Sequence, residues 1–295
     1  MALGILLALC TSVCWAFGNV FIQKSGRLAG GVRAMIWALL LGALFAGAVG
    51  LVFDTRPLPV DRTALWSLAV AGVFGLLAYA LMFYAFSHAK LTLAVPFVSS
   101  WSLVAGAISL TVMGERVAPI HLLGAMLVVA GVLVVSVGAS QDRSRDKPDG
   151  PDAGPAPSPR RPLLAAFGSG VAFGVMVPAL DRTGLSFGSF GGAALVYVIG
   201  LVLAVPLALA FKVDLRLPPR SAWGAVLGTG LAESLGFVCL AAAGRFAPVA
   251  LVAPLASLAA TLTVLYAWIV LREQPPRLTL LGAMIASSGV VAVSM

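Results

Sequence analysis

The sequence predicts an all-α integral membrane protein with ten transmembrane helices, arranged as two inverted five-helix repeats around a central cavity. Three observations lead to this fold class. The 295 residues are 60% hydrophobic and only 10% charged, whereas soluble domains carry about 25% charged residues. The apolar residues fall into long runs, and the pentapeptide LLGAM occurs twice. Because so little polar surface is available, we expect lipid around most of the chain.

The apolar runs have the length that crosses a bilayer, since a helix needs about 20 apolar residues to span a core of about 30 Å. Short polar breaks separate them, so consecutive helices should pack antiparallel. The first run has no basic residue before it, and we interpret it as a permanent membrane helix rather than a cleaved signal. The predicted spans are 3–22, 32–53, 64–87, 91–113, 119–138, 162–180, 189–211, 221–243, 248–271 and 277–294.

One break differs from the others in length and composition. Residues 139–161, ASQDRSRDKPDGPDAGPAPSPRR, are charged, rich in proline and without apolar periodicity. A segment of this kind cannot bury enough surface to fold on its own. We therefore divide the chain into a first five-helix repeat at 1–138, a flexible linker at 139–161 and a second five-helix repeat at 162–295.

The two halves share a sequence register. LLGAM begins at Leu122 and again at Leu280, which stands 158 residues later. The same offset places Pro96 on Pro254. Each half has an odd number of predicted spans, so the second copy should enter the membrane from the opposite side. Inverted repeats are characteristic of secondary transporters, whose site lies near the bilayer midplane between the repeats.

The loops after the fourth and ninth spans resemble those of a known family. Gly114-Glu115 precedes the helix LLGAMLVVAGVLVV, and Glu273 stands at the equivalent place after Arg272. This pattern resembles the EamA-like branch of the drug/metabolite transporter (DMT) superfamily, over both halves of the chain. The resemblance implies a ten-helix bundle around a central cavity, with the fifth and tenth helices at its periphery. It also implies transport of small metabolites without ATP, and the sequence has no GxxxxGK[ST] phosphate loop.

Glu233 is the first candidate for a functional residue, because it lies near the middle of the eighth span. A charge at that depth costs about 2.5–3.5 kcal/mol, so the carboxyl should face the cavity or be protonated. The functional interpretation is a site for proton or cation coupling, or a partner for a cationic substrate group. The alternative is a neutral carboxyl that hydrogen-bonds a neighbouring helix. Gly75 occupies the equivalent position in the first half, so only one repeat would supply the charge.

Two prolines lie inside the fourth and ninth spans. Pro96 and Pro254 each remove one backbone hydrogen bond and should kink their helices, which suits a gate. Hydroxyl and aromatic side chains follow them at Ser99, Ser100, Trp101 and Ser102 and at Ser257, and from these we select Ser100, Trp101 and Ser257. These three are candidates for lining the substrate site, and for the two serines simple packing between helices is an equally good interpretation.

Polar and aromatic residues in the first and third spans extend the candidate site. Trp15, Asn19 and Gln23 are spaced four residues apart and share one face of the first helix. We assign Trp15 and Asn19 to the cavity. Tyr79 is a further candidate, as an aromatic ring with a polar tip, although such residues also serve as anchors between helices.

The repeated acidic residues Glu115 and Glu273 lie at the membrane edge in tight loops, each next to an arginine. We interpret them as structural, through a local ion pair or a cap on the next helix, rather than as part of the substrate site.

Other classes of function are not supported. The net charge of +8 does not indicate nucleic-acid binding, because the basic residues lie in short breaks between apolar runs. The three cysteines lie within apolar runs and form no zinc or disulfide pattern. The chain lacks the paired catalytic groups that an intramembrane enzyme requires. We therefore expect no enzyme activity, no cofactor and no metal.

The predicted function is a multi-pass secondary transporter of the cell (plasma or inner) membrane, moving small organic metabolites or drugs, and an exporter by alternating access. An uptake carrier and a passive facilitator or channel of the same fold stay open as alternatives. The sequence is compatible with a monomer or with a homodimer through the fifth and tenth helices. Most basic residues lie in the loops on the same side of the membrane as the linker. The positive-inside rule places this side in the cytoplasm and both termini outside, whereas the family resemblance implies the reverse.

Overall fold

The computed structural model describes residues 1–54, 62–89, 91–141, 160–271 and 277–294. Within these ranges the only regular secondary structure is helical, which confirms the all-α prediction for this part of the chain. The described residues form α1 Ala2–Ala29, α2 Gly31–Phe53, α3 Arg62–His88, α4 Leu91–Ser99, α5 Trp101–Thr111, α6 Pro119–Gln141, α7 Arg160–Phe187, α8 Ser189–Ala210, a 3-10 turn Arg220–Ala222, α9 Trp223–Ala243, α10 Val249–Ser257, α11 Ala259–Leu271 and α12 Arg277–Ser294.

Six of these helices are long and apolar enough to cross a membrane. Three precede the linker, namely α1, α2 and α3, and three follow it, namely α7, α8 and the helix Arg220–Ala243 that contains α9. The remaining apolar helices are shorter, so the count of ten spans stays a prediction. The division at 139–161 also stays a prediction, with α6 and α7 each reaching into it, while residues 142–159 lie outside the described part of the chain.

The fourth and ninth predicted spans are each interrupted. The expected continuous helices 91–113 and 248–271 are instead the pairs α4–α5 and α10–α11, broken at Ser100 and Leu258. These two residues are again 158 positions apart. At each break the backbone tightens, because the N–H of Ser100 bonds to the carbonyl of Phe97 at 3.3 Å and that of Leu258 to Leu255 at 3.2 Å. Such bonds to the third preceding residue are those of a 3-10 turn.

The prolines do not themselves end these helices. Helices α4 and α10 run through Pro96 and Pro254, and each interruption comes four residues later. Helix α7 approaches the first break closely, since a Cβ added to Gly170 would lie 2.6 Å from the carbonyl oxygen of Phe97. The kink expected at each proline stays a prediction, and each break lies about one helical turn further along the chain.

The ends of α1 and α7 repeat the same geometry. Gly30 follows α1 with φ +86° and Gly188 follows α7 with φ +85°, and the two glycines are 158 residues apart. A positive φ is costly for residues with a Cβ, so glycine is suited to both turns. Helix α1 continues to this glycine, past the predicted end of the first span at residue 22.

The two halves interlock rather than stand side by side. Helix α1 packs along α9 and its counterpart α7 packs along α3, while α2 packs on α8 and α6 on α12. Each contact within this set maps onto another, or onto itself, when the halves are exchanged. A cavity at the centre of the bundle therefore has walls from both halves.

Helices α6 and α12 pack through glycines. A Cβ added at Gly131 would clash with the backbone of Ala286, and one added at Gly282 would clash with the backbone nitrogen of Val135. The small-residue faces of these two helices are thus used against each other within one chain. A homodimer through the same helices would have to use their other faces.

Candidate functional site

A cavity lies between helices of both halves, near the middle of the longer ones. Its empty volume is about 410 Å³, including the part that opens to the outside. Four of the residues predicted for the site line it: Trp15, Asn19, Trp101 and Glu233. Ser100 and Ser257 are not among its lining residues, and Tyr79 reaches it through its bond to Glu233.

Glu233 of α9 places a carboxyl group at this cavity, and the residue is only 5% exposed. Its Oε2 atom accepts a hydrogen bond from the Tyr79 hydroxyl at 3.0 Å. The Tyr79 hydroxyl in turn lies 3.3 Å from that of Tyr197. Both tyrosines are buried, so the three polar groups form a connected network inside the bundle.

The Glu233 carboxyl has no basic partner among the described residues. Ion pairs between Arg33 and Asp214 and between Arg245 and Asp54 do not involve Glu233. A buried carboxylate without a counter-ion is costly, and inside a membrane such a group marks a pathway for ions, protons or substrates.

Aromatic rings form one wall of the cavity. The rings of Trp15 and Trp101 meet edge to face with centroids 5.6 Å apart. The ring centroid of Trp15 lies 4.9 Å from that of Phe237, and Phe173 also lines the cavity. The indole N–H of Trp15 is buried and has no hydrogen-bond partner among the described residues. The wall offers ring faces and edges to an apolar or cationic group.

The polar face predicted for α1 divides in two. Asn19 lines the cavity and donates from Nδ2 to the Thr263 hydroxyl at 3.2 Å, which links α1 to α11. Gln23, one turn further, donates to the carbonyl of Ala89 at 3.0 Å and so ties α1 to the end of α3. Asn19 therefore borders the cavity, whereas Gln23 holds two helices together.

The hydroxyls of the two predicted serines, Ser100 and Ser257, donate to backbone carbonyls three residues earlier in the chain. The Ser100 hydroxyl donates to Phe97 O at 2.7 Å, and the Ser257 hydroxyl donates to Pro254 O at 2.6 Å. Ser99, one residue earlier, lines the cavity instead, together with Val95 and Val98 of α4. These three positions share one helix face, so helical spacing was the signal that could have selected Ser99.

Phe173 of α7 lines the cavity and was not predicted. The offset of 158 residues that relates α1 Ala2–Ala29 to α7 Arg160–Phe187 places it on Trp15, which was predicted, so the register of the repeat was the signal that could have found it. The gate role expected for Pro96 and Pro254 stays a prediction, and both lie on helices, α4 and α10, that border the breaks described above.

Glu115 caps a helix, but in the other half of the chain. Its two carboxylate oxygens accept hydrogen bonds from the N–H groups of Val249 and Ala250, each at 3.1 Å, and the Ser109 hydroxyl also donates to it. The helix that Glu115 caps is therefore α10 of the second half, and not the following helix α6. Its repeat counterpart, Glu273, lies outside the described residues.

Asp54 makes a second cap of the same kind, which was not foreseen. Its Oδ2 atom accepts hydrogen bonds from the N–H groups of Phe190 and Gly191 at 2.8 and 2.7 Å, at the start of α8. Arg245 Nη2 lies 3.8 Å from its other oxygen. Nothing in the sequence around Asp54 marks it, because it simply ends an apolar run.

Comparison with known proteins supplies the family. The model of the EamA-like transporter family matches residues 2–137 and 160–295. The chain belongs to this family. The membership confirms the resemblance carried by the repeated glutamate loops and places the protein among non-enzymatic, multi-pass membrane transporters of the drug/metabolite type.

A solved structure supports the fold of this EamA-like transporter. One structure, described only as "Crystal structure of protein", is 20% identical in sequence with a TM-score of 0.72, covering 99% of this chain and 96% of the other. At that identity the likeness extends to the fold alone. A search of curated proteins found no significant match.

Proposed function

We propose that this EamA-like transporter exports small organic metabolites or drugs across the cell membrane by alternating access of its central cavity. The observation that carries the proposal is the buried Glu233 carboxyl, placed without a basic partner among the described residues in a cavity walled by both halves. In this proposal residues 1–138 and 162–295 are inverted repeats, and their exchange of conformations opens the cavity to either side in turn.

Coupling follows from the chemistry of a buried carboxyl. Such a group binds a proton or a cation because its charge is costly in the low-dielectric interior. If a proton and a substrate compete for Glu233, entry of one releases the other, and a proton gradient can drive export. The Tyr79 hydroxyl contributes by donating to the ionised carboxylate, which stabilises the charged form.

The lining favours a substrate that is cationic or zwitterionic and carries an apolar part. Glu233 supplies the negative charge, and Trp15 and Trp101 supply aromatic surface that attracts cations and apolar groups. Asn19 supplies a neutral amide for a polar substituent.

The test compares cells that express wild type, Glu233→Gln and Glu233→Ala at equal membrane levels, with Asp214→Asn as a control at an exposed carboxylate. Small molecules are profiled in medium and cytoplasm. Export predicts that a compound moves outward with wild type and Asp214→Asn only. If Glu233→Gln transports at the wild-type rate at every pH, Glu233 has no role in coupling.

Reconstituted vesicles then separate a carrier from the passive alternative. A carrier gives saturable counterflow of the compound identified in cells, and Glu233→Gln loses its dependence on a pH gradient. Single-channel currents would instead establish a facilitator, and accumulation inside the cells would establish uptake.

A further inference from the structure

We propose that Gly18 of α1 is the positioning residue for Glu233: the missing side chain at position 18 gives the carboxyl its place between α1 and α9. The proposal rests on the function proposed for Glu233. Its tests measure protein stability and carboxyl reactivity rather than transport, so either proposal can fail alone.

The contact at Gly18 is with the carboxyl itself. A Cβ built on Gly18 would clash with Glu233 Oε1 and lie 3.3 Å from Cδ and 3.7 Å from Cγ of the same side chain. These are its three nearest atoms outside α1, and all belong to the Glu233 side chain. An added methyl group would therefore occupy the space that the carboxyl now fills.

Two other glycines, one on α7 and one on α1, make a different contact. Gly174 of α7 would place a Cβ against Val104 and the carbonyl oxygen of Trp101. Gly4, earlier on α1, would meet Ala247 and the carbonyl oxygen of Ala243. These glycines let helices approach, whereas Gly18 makes room for an ionisable group.

The carboxyl is held from two sides by the first half. Oε1 lies against Gly18 of α1, while Oε2 accepts the hydrogen bond from Tyr79 of α3. Trp15 and Asn19, which flank Gly18 on the same helix, line the cavity. A methyl group at position 18 would displace the carboxyl from this position. We expect the carboxyl to move toward the cavity and away from the Tyr79 hydroxyl.

The first test is a double-mutant cycle on thermal stability of the purified protein. Gly18→Ala is introduced into wild type and into Glu233→Ala, and Gly224→Ala serves as control because a Cβ there meets nothing within 4 Å. Gly18→Ala should lower Tm in wild type, and most of this loss should disappear when the carboxyl is absent. An equal loss in both backgrounds, or a double variant that does not fold, would show that Gly18 serves helix packing and would overturn the proposal.

The second test reads the carboxyl directly with dicyclohexylcarbodiimide. This apolar reagent adds to a protonated carboxyl and rearranges to an N-acylurea, so that every atom of both partners is retained. Peptide mapping follows the adduct at Glu233 across pH, and Glu233→Gln identifies background labelling. Gly18→Ala should label several-fold faster than wild type with a shifted pH profile, while Gly224→Ala matches wild type. A folded Gly18→Ala protein with the wild-type rate and profile would refute the positioning role.

Discussion

The carboxylate of Glu115 accepts hydrogen bonds at 3.1 Å from the backbone N–H groups of Val249 and Ala250, so a loop of the first half caps a helix of the second. Asp54 does the same for α8. Both caps join the halves at the end of the bundle where α2 and α5 finish and α8 and α10 begin. A carboxylate at a helix N-terminus satisfies unpaired N–H groups and interacts favourably with the helix dipole.

Loss of the Glu115 cap should destabilise the protein. We expect Glu115→Ala to lower the free energy of unfolding by about 1–2 kcal/mol, and Glu115→Gln by less because one amide oxygen can still accept. Thermal unfolding in detergent or nanodiscs measures both, with the exposed Asp214→Asn as control. A Glu115→Ala protein as stable as wild type would contradict the cap.

The cap at Asp54 can be tested by comparing Gly188, which lies against its carboxylate, with Gly30, which has nearly the same φ but no such contact. Both glycines have a φ close to +85° and an extended ψ, of 135° at Gly30 and 152° at Gly188, so alanine should cost about 1–3 kcal/mol at either position. At Gly188 the added Cβ would also displace the Asp54 carboxylate, whereas at Gly30 it meets nothing within 4 Å. Gly188→Ala should therefore lower Tm more than Gly30→Ala, and equal losses would argue against a stabilising role for Asp54.

Removing the tyrosine hydroxyls should separate direct from indirect support of Glu233. A hydrogen bond to a charged group contributes about 1.5–3 kcal/mol, so Tyr79→Phe should slow coupled export about tenfold or more. Tyr197→Phe should have a smaller effect, since its hydroxyl reaches the carboxylate only through Tyr79. Initial export rates of the compound found by profiling test this order, and a larger effect at Tyr197 would reverse the assignment.

The α6–α12 contact should tolerate no added methyl group. Gly131→Ala should destabilise the protein by about 1–3 kcal/mol, the usual cost of overpacking, because the Cβ would clash with the backbone of Ala286. Gly106→Ala is the control, since its Cβ meets nothing within 4 Å and alanine favours a helix. Chemical denaturation of the two variants measures the difference, and matching curves would show that the helices adjust freely.

The sequence by itself determined the features that depend on composition and local order. Hydropathy indicated the helical, membrane-embedded class, and the offset of 158 residues linked the halves. The breaks at Ser100 and Leu258 keep this offset but were seen only in the structure. Burial depth within a span selected Glu233, and helical spacing selected Trp15 and Asn19, all three of which line the cavity. Each of these signals is contained within one helix or in the comparison of two similar helices.

Only the tertiary structure decided which groups meet. Glu115 and Val249 are 134 residues apart, and Asp54 and Gly191 are 137 apart, so no local pattern pairs them. The position of the Glu233 carboxyl against Gly18 depends on how helices of opposite halves rotate and approach each other. Hydropathy and periodicity describe one helix at a time, whereas the packing of two interlocked halves sets every contact between them.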